Sequence, residues 1–248
     1  MGNYEIACCS LLGTRENQQD AYAYEKSKDG VFAIVCDGMG GMEHGEWASR
    51  TTVDTLMKQY KRKDSEQSMQ DFYLENIDIL DEQVCNLKGE ENEPLHCGTT
   101  MVSVSIQNHL MDWFSVGDSR IYAIRKNEIV QSTKDHNYKM ILKERLEKKQ
   151  ISSQEYEEGL PQSEALISYI GMRGISLMDM NQKSLHLQSG DYILLTSDGL
   201  YREFDDKMLL ATIQREKTTK KICDYLEKEY RKCAGALDNA TFILIAIQ

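Results

Sequence analysis

Five aspartates in this 248-residue chain stand where apolar runs begin or end. Asp37 follows Phe32-Ala33-Ile34-Val35-Cys36 and precedes Gly38, Gly40 and Gly41. Asp198 follows Tyr192-Ile193-Leu194-Leu195 by a short polar step and precedes Gly199. Asp118 comes after an apolar run and Gly117, Asp238 stands just before the closing run "NATFILIAIQ", and Asp20 ends the polar turn "GTRENQQD". One Asp-Gly step is a turn signal. Two that cap core strands leave charge beside a low-dielectric interior, where it needs a partner. Hard divalent ions suit such a set. Mg²⁺ and Mn²⁺ take oxygen ligands, keep several waters and use few carboxylates each. Neither Cys nor His recurs at ligand spacing beside these aspartates, which counts against zinc. Two ions about 3.5–4 Å apart can share a carboxylate and a water, and they acidify that water. The glycines allow a backbone carbonyl, that of Gly38, to serve as a further ligand. Arg15 lies in the polar turn. Alone it reads as a surface residue, but beside acids that hold cations its fork fits a phosphate.

The elements that must position these residues are a mixture of short strands and helix pairs. Residues 3–12, 19–25, 31–37 and several runs within 97–131 alternate or cluster apolar residues as strands do. Helices are predicted over "EHGEWASRTTVDTLMKQYKRK" and over 65–88, where Met69, Phe72, Tyr73, Ile77, Leu80 and Val84 share one side. Residues 136–170 are charged and helix-prone, strands resume over 175–196, a helix carries Ile222, Tyr225 and Leu226, and a strand closes the chain. Strand blocks separated by helix pairs do not alternate as βαβ units. They point to an α+β fold, antiparallel sheets packed face to face with helices outside. Residues 1–248 are expected to form a single domain, with 136–170 as an inserted surface subdomain.

Composition narrows the class. The formal net charge is -11, unfavourable for binding nucleic acid or an anionic membrane. No segment resembles a signal peptide or is long enough to span a bilayer. The seven Cys form no C-x-x-C pair and several lie in apolar runs. Reduced core thiols in a cytoplasmic protein are expected, not disulfides or a zinc site.

Taken in order along nearly the whole chain, these segments resemble the metal-dependent protein Ser/Thr phosphatases of the PP2C (PPM) family, bacterial type. The segments are "GTRENQQDAY", "FAIVCDGMGGMEHGEWAS", "CGTTMVSVSI", "FSVGDSRIYAIR", "STKDHNY", "GDYILLTSDGLY" and "DNATFILIAI". The resemblance implies a central β-sandwich flanked by helices on both sides, with 136–170 as a flap. It implies two Mn²⁺ or Mg²⁺ ions, with Asp37 bridging them, the Gly38 carbonyl on one, and Asp198 and Asp238 on the other. Asp20 would bind metal-held waters, Arg15 would grip the phosphate, and Asp118 with Asp198 matches a third-metal position. Phosphorylated proteins would be the substrates, with a cognate Ser/Thr kinase as the opposing partner. The chain departs from the family in three places. Gln18 stands where Asn is usual, Met39 stands where many eukaryotic members have a proposed acid, and "LPQSEALISYIGMRG" is a loose version of the flap exit. His44 and His136 are read as structural. Two alternatives are an inactive phosphoprotein-binding member and a phosphatase for small-molecule phosphates.

Overall fold

A strand that is apolar on both sides must be covered on both sides. The strand β3 (Gly30–Met39) meets that demand by alternation. Val31, Ala33 and Val35 face a second sheet, whereas Phe32, Ile34 and Cys36 face helices. The structure is a computed structural model that describes residues 3–39 and 44–248. Gly40 and Gly41, singled out above, lie outside the described residues.

One antiparallel sheet runs β1 (Tyr4–Leu11), β12 (Ala240–Ile247), β11 (Tyr192–Thr196), β7 (Arg120–Arg125) and β8 (Glu128–Gln131). The other runs β10 (Leu185–His186), β6 (Leu110–Val116), β5 (Met101–Gln107), β3 and β2 (Asp20–Lys26). The short β4 (Gly98–Thr99) pairs with β3, and β9 (Asp179–Met180) pairs with β6. Between the sheets, Ile193, Leu195, Ile243 and Ile245 meet Val102, Val104 and Ile106. Outside one sheet lie α1 (Gly45–Tyr60) and α2 (Met69–Cys85). Outside the other lie α5 (Asp198–Glu203), α6 (Asp206–Arg215) and α7 (Thr219–Tyr230). Each fully buried Phe, Ile or Leu in these layers contributes about 1.5–3 kcal/mol. Phe32 stacks on Tyr60 with ring centroids 3.8 Å apart, which fixes α1 on β3. The expected sandwich with helices on both sides is therefore present. Residues 138–162 hold α3 (Tyr138–Glu147), α4 (Ser153–Gly159) and a 3-10 turn (Leu160–Gln162).

Some boundaries differ from expectation. The second helix starts at Met69, not 65, because the Ser68 side chain accepts from the Asp71 amide and caps it. The strand region at 175–196 is interrupted. The Asn181 side chain stands in for a ladder there, accepting from the Trp113 amide at 2.8 Å and donating to the Met111 carbonyl at 3.1 Å. Asp198 closes a strand as expected but also opens α5, and α6 begins at a cap the sequence did not announce, Asp205 accepting from the Met208 amide. All seven Cys are unpaired thiols; Cys36, Cys97 and Cys223 lie in the core as expected, whereas Cys8, Cys9, Cys85 and Cys233 are half-buried.

Candidate active site

The strand ends converge because antiparallel neighbours share rims. Asp20 opens β2 and Asp37 lies near the end of β3, and the two are register partners across the pair, with Cβ atoms about 5 Å apart. In the other sheet, β11 ends just before Asp198 and β12 begins just after Asp238. One hydrogen bond joins the two rims: Ser197 Oγ donates to Asp20 Oδ2 at 2.8 Å. The Thr241 amide in turn donates to Ser197 Oγ at 2.9 Å. A second tie runs from the Gln19 amide to Asn239 Oδ1 at 2.8 Å.

The backbone at Asp37 is held from β4. The Thr99 hydroxyl and the Thr100 amide both donate to its carbonyl, and its amide donates to Thr100 Oγ1 at 3.0 Å. Gly38 has a local reason to be glycine. A Cβ there would collide with the Gly45 carbonyl at the start of α1 and with the Gln19 carbonyl. Asp118 sits after Gly117, whose φ of +96° and contact with Thr100 both exclude a side chain. His136 secures this turn: its Nδ1 accepts from the Gly117 amide at 3.1 Å, and its own amide donates to the Gly117 carbonyl. Burial pushes its pKa down, which suits a neutral ring with the proton on Nε2 and the expected structural role. Gln18, the first departure, stitches the polar turn. It accepts from the Asp20 amide at 3.0 Å and donates to Ser10 Oγ and the Leu11 carbonyl.

The electrostatics are those of like charges forced together. Burial, then Asp20, Asp198 and Asp118, pushes Asp37 well above the usual carboxylate range. Burial pushes Asp20 up to about 7, with Asp198 and Asp238 adding to the rise and hydrogen bonds from Ser197 and Thr241 opposing it. Asp118 is pushed up to about 7, first by burial and then by Asp198, with Arg202 opposing. Asp198 is raised by burial, again with Arg202 opposing. Asp20 Oδ1 and Asp198 Oδ1 are buried without a hydrogen-bond partner. Among the described residues, no donor reaches the Asp37 carboxylate, which faces Asp198. Facing acceptors are reconciled only by a shared proton or a cation.

The site therefore fits a hard cation by its donor set, all oxygen, and by its orphaned atoms. Among the described residues, no three His, Cys, Asp or Glu side chains close around one point as a preformed cage. That is compatible with ions that keep much of their water and take one or two carboxylates each. Two of the acids also have arginine partners. Arg15 Nη2 bonds Asp238 Oδ2 at 2.8 Å, at the exposed mouth of the site. Arg202 Nη2 bonds Asp198 Oδ2 at 2.7 Å and reaches Glu164 Oε2 at 3.6 Å. Arg15 also lies within the fields of Asp198 and Asp37. Among the described residues, Arg15, Asp20, Asp37, Gly38, Asp118, Asp198 and Asp238 thus lie near one rim. The sequence reading missed Ser197, Thr99, Thr100, Asn239 and Arg202. For the first four the only signal was polarity at a strand end, which surface residues share; for Arg202 it was the i,i+4 spacing from Asp198 on α5.

The chain matches the Protein phosphatase 2C family over residues 10–237. It belongs to that family. It is similar to protein phosphatase PhpP of Streptococcus pneumoniae, 29% identical over 251 residues that cover 98% of this chain and 97% of that one. Its fold superposes on the S. agalactiae serine/threonine phosphatase with a TM-score of 0.85 at 27% identity, covering 99% of this chain and all of the other. The PP2C fold likeness extends to the catalytic domain of PstP, solved with two manganese ions, with a TM-score of 0.75 at 21% identity and 98% coverage of each chain.

Proposed function

We propose that this PP2C member is a metal-dependent protein Ser/Thr phosphatase that hydrolyses phosphoserine and phosphothreonine monoesters. The observation that carries the reading is the Ser197–Asp20 hydrogen bond, which joins the acidic rims of the two sheets into one centre. Asp37 would hold two Mn²⁺ or Mg²⁺ ions, the Gly38 carbonyl one of them, and Asp198 and Asp238 the other. Asp118 with Asp198 would offer a place for a third. When bound, such ions supply Lewis acidity at phosphoryl oxygens and lower the pKa of water towards about 7.

The protein's own groups do the rest. Asp20, fixed by Ser197, orients solvent for in-line attack on the phosphorus. Arg15 grips the phosphate, because its pairing with Asp238 is exposed and exposed pairs are worth about 0–1 kcal/mol. It can therefore exchange Asp238 for a phosphate at little cost. Met39 has no proton to give, so the leaving alcohol takes its proton from solvent ordered at the site. Residues 1–248 act as one domain, and 136–170 serves as a flap beside the centre. No helix among the described residues is long and apolar enough to cross a membrane; we place the protein in the cytoplasm, opposed by a Ser/Thr kinase. Neutral asparagines in place of the buried acids would relieve repulsion in an inactive binding protein, so the retained cluster favours catalysis.

The test is purified protein with Mn²⁺, an aryl phosphate and a phosphopeptide panel. Turnover of both supports the reading. Turnover of the aryl phosphate alone would redirect it to small-molecule phosphates, and binding of phosphopeptides without turnover would redirect it to an inactive member.

A further inference from the structure

A cavity of about 300 Å³ opens beside β4, lined by Met39, His96, Cys97, Gly98, Tyr169 and Arg173 among others. It adjoins the acidic centre by strand register. Met39 pairs with Gly98 one step beyond the Gly38–Thr99 pair, and the Thr99 hydroxyl donates to the Asp37 carbonyl at 2.9 Å. Two residues along an extended strand span about 7 Å, which is also about the reach of two residues of extended peptide.

The backbone that carries the cation at its rim is held in place, and the Arg173 side chain itself is exposed. Arg173 lies in the loop that leaves the flap, the segment whose sequence departs from the family pattern. The loop is pinned from below by Asp81, which is buried and accepts from the amides of Gly171 at 2.7 Å, Met172 at 3.1 Å and Gly174 at 2.7 Å. Those bonds occupy the Asp81 charge. Gly171, Arg173 and Gly174 all have left-handed backbones, with φ of 106°, 61° and 107°. An L-residue avoids that region unless its surroundings impose it. Among the described residues, Arg173 is in no ion pair, as Arg50, Arg62 and Arg145 are not, whereas Arg15, Arg120, Arg125, Arg202, Arg215 and Arg231 each hold a carboxylate; of the unpaired four, Arg173 is the one on the wall of this cavity. In a chain of net charge -11, an arginine on a pinned backbone, without a carboxylate partner and on the wall of a cavity beside the centre, offers a place for an anion.

We infer that this cavity reads an anionic group, a carboxylate or a second phosphate, two residues from the phosphorylated Ser or Thr of a protein substrate, with Arg173 as the specificity-determining residue. The inference rests on the phosphatase reading and deepens it. The experiment uses the 248-residue chain in Mn²⁺ and phosphothreonyl peptides that carry Glu, phosphoserine, Gln or Lys two residues before or after the phosphothreonine. Each rate is divided by the same variant's rate on an aryl phosphate, and melting temperatures check the fold. Wild type should favour the Glu or phosphoserine peptides over Gln by about five-fold, carried by KM, the size expected of a partly exposed charge pair. Arg173→Gln should erase the preference, and Arg173→Glu should turn it towards Lys. The relative rank of the Glu and phosphoserine peptides tells which anion the site prefers. Wild type indifferent to peptide charge, or Arg173→Glu keeping the acidic preference, would overturn the inference alone. Wild type with no aryl phosphate turnover in Mn²⁺ would overturn the phosphatase reading, and this inference with it.

Discussion

The acidic rim and the flap segment sit side by side and are built on opposite terms. The rim is carried by strands buried on both faces, and Asp20 is held across the sheets by the Ser197 hydroxyl, which the Thr241 amide fixes in turn. The flap helices are barely buried: α3 contributes Leu142 alone to the core, and α4 contributes nothing. The rim stores repulsion among like charges, which only a rigid frame can contain. Residues 138–162 bury little and store little. On the proposed reading, chemistry is assigned to the strand-borne rim and substrate choice to the segment built with few buried contacts.

The largest break in that contrast should come from the rim. Asp37→Asn or Asp198→Asn should lower turnover by at least ~10³-fold, since each removes charge aimed at the reacting centre. The metal-free variants should melt no lower than wild type, because a repelled buried charge has gone. Activity assays and thermal melts check both halves. A variant within a few-fold of wild-type turnover would contradict the assignment.

Arg15→Ala comes next. It should raise KM on phosphopeptides by about ten-fold with kcat little changed, as expected for a group that binds ground and transition states alike. Steady-state kinetics check this, and a collapse of kcat at constant KM would contradict it.

The rim should also carry a pH signature the flap lacks. Asp20 and Asp118 stand near 7 in the folded chain against 3.8 ordinarily. Between those values the folded state binds more protons than the unfolded one. Their contribution to stability is therefore full below about 4 and is lost as pH rises through 7. Metal-free protein should lose melting temperature from pH 5 to pH 8, and Asp118→Asn should flatten that loss. A wild-type curve that rises over this range would contradict the burial of unpaired acids.

The smallest effect concerns the flap. Amides of α3 and α4 should exchange hydrogen well before those of β3 and β12, because few buried contacts hold them. Equal protection would remove the contrast.

Much of the rim was legible because its logic is one-dimensional. An apolar run such as Phe32–Cys36 that ends in Asp37 and Gly38 states its burial, its end and its charge in one line of residues. The family pattern then supplied the order. The supporting groups were not legible. Ser197 in "LLTSDGL" and Thr100 in "CGTTM" look like ordinary strand-end residues, and only the pairing of strands distant in sequence gives them acids to hold. Arg202 is different: Asp198 stands four residues before it on α5, an i,i+4 spacing open to a helical reading, and only its second partner, Glu164, comes from a distant segment. Within 175–196, Asn181 replaces backbone pairing with its side chain, which no apolar alternation reveals.

Calorimetric titration of metal-free protein with Mn²⁺ tests the central claim most directly. Wild type should bind at least two ions per chain, and Asp37→Asn, which loses the shared carboxylate, should bind fewer and more weakly. A chain that takes up no Mn²⁺, or an Asp37→Asn variant that binds as wild type does, would contradict the account.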